Sequence, residues 1–98
     1  MKGNGNCYQS AGTLIADMPD DALLCHGTVT GQGPVEGIKF GHAWIEINDI
    51  VIDKSNGNNI CMDKERYYSI GKIKNVRRYS KSTALKNLLK YETFGPWK

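Results

Sequence analysis

Several features are scarce in this chain of 98 residues, and each scarcity excludes something. No run approaches the roughly 18 apolar residues of a membrane-spanning helix. The opening stretch Met1-Lys2-Gly3-Asn4-Gly5-Asn6 lacks the apolar core of a secretory signal, so the expected compartment is the cytoplasm, with no membrane partner. The cysteines number three, which is odd and comes without an export signal; that argues for reduced thiols over a disulfide framework. Cys7, Cys25, His26, His42 and Cys61 include no Cys-x-x-Cys or His-x-x-x-His spacing that would favour zinc, and no cofactor is called for. Gly31, Gly33, Gly37 and Gly41, with Pro34, lack the spacing of a phosphate-binding loop and read as a connecting loop over residues 31–41. A repeat period or low-complexity tract is not apparent.

What is present fits one small globular domain, with hydrophobic content of 40% and charged content of 23%. The net charge of +3 hides an asymmetry. Residues 72–98 carry eight Lys or Arg against Glu92, a balance of +7, and residues 1–71 carry five against nine acids, a balance of −4. A basic C-terminal third is the ordinary solvated face of a helix and strand, or a surface for nucleic acid or another anionic partner. The oligomeric state is not legible.

Apolar residues Cys7, Tyr8, Ala11, Leu14, Ile15 and Met18 recur at helical spacing behind Asn6, a good N-cap. They predict an amphipathic helix over 7–17, ended by Pro19. In its middle, Gly12 weakens the helix or admits another element. A strand follows over 22–30, a turn-rich loop over 54–59, a short helix over 62–69, and a further strand over 72–79. Ser80 or Ser82 caps a last helix with Ala84, Leu85, Leu88, Leu89 and Tyr91 as its stripe, and Trp97 docks back on the body. The expected fold is α+β: an N-terminal helix on a small, mainly antiparallel sheet, with a C-terminal helix.

The densest stretch, 41–53, reads as a β-hairpin with Asn48-Asp49 at its turn. That register pairs Ile47 with Ile50, Glu46 with Val51, Ile45 with Ile52 and Trp44 with Asp53. His42, Trp44, Glu46, Val51 and Asp53 then share one face, and Ala43, Ile45, Ile47, Ile50 and Ile52 the other. His42 and Asp53 lie diagonally, on the order of 5.5–8 Å between Cβ atoms, close enough for an imidazole–carboxylate hydrogen bond. A bulge at the turn would separate them.

A nucleophile for that pair is available in Cys7. Placed in the first turn of its helix, it would feel the unpaired N–H groups of the helix end, and its own N–H could serve an oxyanion. For Cys7 to reach His42, its helix is expected to cover the His42 face, leaving the Ile face to the C-terminal helix. Gln9, Asn6 and His26 are candidates for further oxyanion or substrate contacts. Trp44 shares the His42 face as core or cleft wall, a substrate-side candidate. Cys25 and Cys61 are expected to be inert.

Gly5-Asn6-Cys7-Tyr8-Gln9, Gly41-His42-Ala43-Trp44-Ile45-Glu46-Ile47 and Val51-Ile52-Asp53 together resemble the Cys…His…Asp order of transglutaminase-like and other papain-like thiol enzymes. The resemblance implies Cys7 as nucleophile, His42 as general base and acid, and Asp53 as the orienting carboxylate. It implies a cysteine peptidase or amidase-type hydrolase, or an acyltransferase, acting on a peptide or protein substrate. The competing expectation is a non-catalytic binding protein of the same fold that uses the basic C-terminal third.

Overall fold

A computed structural model of the chain describes residues 3–31, 36–54 and 59–97, with the side chains of residues 3–6 left aside. Asn6 as a substrate-contacting side chain, and residues 32–35 and 55–58 of the two loops expected over 31–41 and 54–59, therefore fall outside what is described. The elements run α1 (Gly3–Ile15), β1 (Leu23–Thr30), β2 (Lys39–Ile47), β3 (Ile50–Asp53), β4 (Ile60–Asp63), α2 (Lys64–Gly71), β5 (Lys74–Ser80) and α3 (Lys81–Tyr91).

Helix α1 opens at Gly3, four residues before the expected start, so Asn6 is not its N-cap. Cys7 lies in the second turn, where its N–H is committed to the intrahelical ladder. The expectation of an oxyanion donor at the Cys7 backbone is corrected accordingly. A capping preference of about 1 kcal/mol did not outweigh propagation of the helix back through residues 3–6. The helix closes through turns from Asp17 N–H to Leu14 and from Met18 N–H to Ile15, at 2.9 and 3.1 Å, just ahead of Pro19.

The strands form one sheet in the order β4-β3-β2-β1-β5, with every neighbouring pair antiparallel. The hairpin register is the expected one: Ile45 opposite Ile52, Glu46 opposite Val51 and Ile47 opposite Ile50. Asn48 turns the chain at φ 53°, a conformation that Asn tolerates better than most residues. Strand β4 was not foreseen; Ile60–Asp63 adds an edge to β3, and Asp63 ends it by capping α2, accepting from the Arg66 N–H at 3.2 Å. Ser80, not Ser82, caps α3, accepting from Thr83 N–H at 3.2 Å.

Two apolar layers enclose the sheet. On one face α1 and α3 pack Cys7, Ala11, Ile15 and Ala84 against Leu24, Ala43 and Ile45, with Ile52 alongside and Trp97 docked as expected. On the other, Trp44, Cys25, Val29 and Val51 pack with Tyr67 of α2. In the α3 stripe Ala84 is buried, but Leu89 is 81% exposed and Tyr91 40%; α3 turns these outward. Gly12 stands against Phe94, whose ring would be 2.7 Å from a Cβ there.

The expectation that α1 must cover the His42 face is wrong. It packs on the Ala43/Ile45 face, together with α3. The ladder between β2 and β3 spans Ile45–Ile47 of β2, and β3 ends at Asp53. Beyond that end, the Lys39–Ala43 half of β2 has no β3 neighbour, so among the described residues α1 can reach His42 past the end of β3. Gly41 and Ala43, the small residues flanking His42 on the α1 side, permit the approach. A Cβ on Gly41 would lie 2.5 Å from the Tyr8 hydroxyl.

Candidate active site

Three elements bring their residues together at the end of β3. His42 Nε2 is 2.8 Å from Asp53 Oδ2, with both residues buried. The carboxylate can only accept, so Nε2 carries the proton and Nδ1 holds the free lone pair of the neutral ring. The Cys7 thiol is a hydrogen-bond partner of the same imidazole. His42 therefore stands between a thiol and a carboxylate, each using the ring.

The electrostatics follow from burial against pairing. Removal from water disfavours the charged ring, but hydrogen bonds and charge from Asp53 and Cys7 outweigh this and push the His42 pKa up to about 9. Aromatic neighbours fix the ring's position: Trp44 stacks at 6.2 Å with 27° between planes, and Phe40 meets it edge-on at 6.2 Å.

Tyr67, one turn into α2, is a member of the site that sequence reasoning missed. Its hydroxyl donates to Asp53 Oδ2 at 2.6 Å, and burial, with the Asp53 charge beside it, pushes its own proton affinity well above the ordinary tyrosine value. No local pattern signals this contact, which requires β4 and α2 to fold back beneath the hairpin.

The remaining candidates are dispersed. Trp44 is fully buried, with its indole N–H donating to Glu46 Oε2 at 3.0 Å, so it supports His42 and offers no substrate surface. Gln9 is exposed on the outer side of α1, beside Ser10, Thr13 and Lys54. His26 lies on the opposite sheet face, opposite Ala43 in the ladder, enclosed by Tyr8, Tyr79 and Trp97 at 4.9, 5.2 and 5.0 Å. Burial and the nearby Arg77 charge lower its pKa to about 4. It is not part of the Cys7–His42 cluster.

Glu46 centres a second polar cluster. Although burial opposes its ionisation, hydrogen bonds from Tyr68, Trp44 and Arg78 hold its carboxyl below the ordinary range; Arg78 Nε is 3.1 Å away. Cys25 is buried, and that burial, with the Glu46 charge, raises its thiol far above the ordinary value; Cys61 is exposed on β4. Three basic residues of the C-terminal third have contacts of their own within the fold. Arg78 binds Glu46, adjacent Arg77 projects to the other face, and Lys81 Nζ donates to the Met18 carbonyl at 2.7 Å. Among the described residues no group of three or more metal-ligating side chains converges, and no helix is long and apolar enough to cross a membrane.

No family model, curated protein or solved structure matches the chain.

Proposed function

We propose that this protein is a thiol hydrolase or acyltransferase acting on an amide of a peptide or protein through Cys7, His42 and Asp53. The observation that carries the reading is His42 held between the Cys7 thiol and the Asp53 carboxylate. In the proposed cycle, His42 Nδ1 accepts the thiol proton while Nε2–H stays bonded to Asp53. Sγ attacks the carbonyl carbon, and His42 returns the proton to the leaving amine as the C–N bond breaks. Water or an amine, deprotonated by the same nitrogen, then cleaves the thioester and restores the thiol. Asp53, with Tyr67 behind it, fixes the tautomer and stabilises the imidazolium.

One observation favours a rival. Cys7 is fully buried, as a cysteine would be if the same side chains were a polar clasp tying α1 to the sheet. The two readings part on covalent chemistry. Incubation with p-nitrophenyl acetate, followed by peptide mapping, should find one acetyl group on Cys7 in the native protein and none there in Cys7→Ser or His42→Gln. Acetylation confined to Cys61 and lysines would leave only the clasp.

A further inference from the structure

Beside the Cys7–His42 pair, on the β5 side, lies an open cavity of about 270 Å³. Its lining includes Tyr8 and Gly41, the immediate chain neighbours of Cys7 and His42, while neither Cys7 nor His42 itself lines it. Its charge has one sign. Arg77 is its sole ionic lining residue, and no carboxylate lies within ion-pair distance of that guanidinium among the described residues. Among the described residues Arg77 makes one hydrogen bond there, a long one, 3.4 Å from Nη1 to the Trp97 carbonyl. Its neighbour Arg78 by contrast pairs with Glu46 through Nε and donates to the Tyr68 hydroxyl through Nη2.

The floor is equally unusual. His26 is buried and lines the cavity, and among the described residues neither of its ring nitrogens has a hydrogen-bond partner. An unsatisfied buried polar group costs about 1–3 kcal/mol, and such a group calls for an explanation. A neutral imidazole supplies one N–H donor. The backbone is bent at the same place: the β1–β5 register shifts between His26 and Thr28, and Asn75, across from that shift, has φ 56°. Bulges of this kind re-aim side chains beside sites. Tyr8 and Trp97 give aromatic walls to the cavity beside the cation. A guanidinium with free N–H groups in a partly apolar recess is suited to a planar carboxylate, which it can bind through two parallel hydrogen bonds.

We propose that this cavity is a substrate subsite that binds a carboxylate through Arg77, next to the amide presented to Cys7. The proposal rests on the thiol-enzyme reading for its word "substrate", but carboxylate binding there is measurable without catalysis. A peptide C-terminus and an acidic side chain offer the same chemistry, and the probes separate them: acetyl-Ala-Ala with a free carboxylate, acetyl-Ala-Ala-amide, and acetyl-Glu-amide. Each is titrated into the full chain while the Arg77 Nε–H and Trp97 indole NMR signals are followed. Saturable shifts are expected with at least one of the two acids and none with acetyl-Ala-Ala-amide. Arg77→Gln should weaken binding at least tenfold, and Arg77→Lys should recover part of it. Equal responses to acid and amide, or an affinity unchanged in Arg77→Gln, would overturn the subsite. Failure of Cys7 acetylation together with intact Arg77-dependent binding would instead remove the enzyme and leave an anion-binding protein.

Discussion

Tyr67 and His42 meet on a single oxygen: the Tyr67 hydroxyl at 2.6 Å and His42 Nε2 at 2.8 Å both bond Asp53 Oδ2. Each donor approaches a buried carboxylate that could not otherwise remain charged at low cost. Tyr67→Phe should therefore destabilise the fold by about 1.5–3 kcal/mol, as hydrogen bonds to charged groups do. Urea denaturation measures this, and in a cycle with Asp53→Asn the two losses should be clearly less than additive. Additive losses would mean that the hydroxyl contributes nothing through Asp53.

The two histidines predict a stability maximum near the ordinary histidine pKa, with separate causes on each side. His42 is raised from 6.5 to about 9, so its contribution is complete below about pH 6.5 and disappears as pH rises through 9. The amount at stake is on the order of 3 kcal/mol. His26 is lowered to about 4; the unfolded chain takes up its proton first, so stability falls as pH drops from 6.5 toward 4. Urea midpoints across pH 4–9 should show both limbs. His42→Gln should flatten the alkaline limb, and His26→Phe the acid one.

Gly41 predicts a rescue. Its backbone is not in the left-handed region, so alanine is excluded there only by contact. The new Cβ would fall 2.5 Å from the Tyr8 hydroxyl and 3.6 Å from the ring carbon bearing it. Gly41→Ala should displace Tyr8, and with it Cys7, lowering both the thermal midpoint and Cys7 reactivity. Adding Tyr8→Phe removes the clashing atom and should restore most of each. Failure of the double variant would show that Gly41 matters for another reason.

The site was legible in the sequence where its determinants are local, and illegible where they come from elsewhere in the fold. The hairpin register followed from alternation and from Asn48-Asp49, and with it the His42–Asp53 hydrogen bond. Two short-range inferences failed. Asn6 is a good cap by residue type, yet α1 starts at Gly3, which removes the Cys7 N–H from the oxyanion role. Counting faces along β2 assigned α1 to the wrong side, because alternation says nothing about where β3 stops. Tyr67 was invisible because its partner is fourteen residues away through a strand, β4, that four residues of weak pattern did not announce. The pairing of His26 with Arg77 across β1 and β5 likewise exists only once the sheet is assembled.

The most direct test of the account is the rate at which iodoacetamide alkylates Cys7, followed by peptide mapping at pH 6 and pH 8 in the native protein, His42→Gln and Asp53→Asn. If His42 takes up the thiol proton, native Cys7 reacts already at pH 6. His42→Gln then lowers the pH 6 rate by about 10² or more. A Cys7 that stays unmodified until the protein is unfolded, or one that reacts equally in all three proteins, would contradict it.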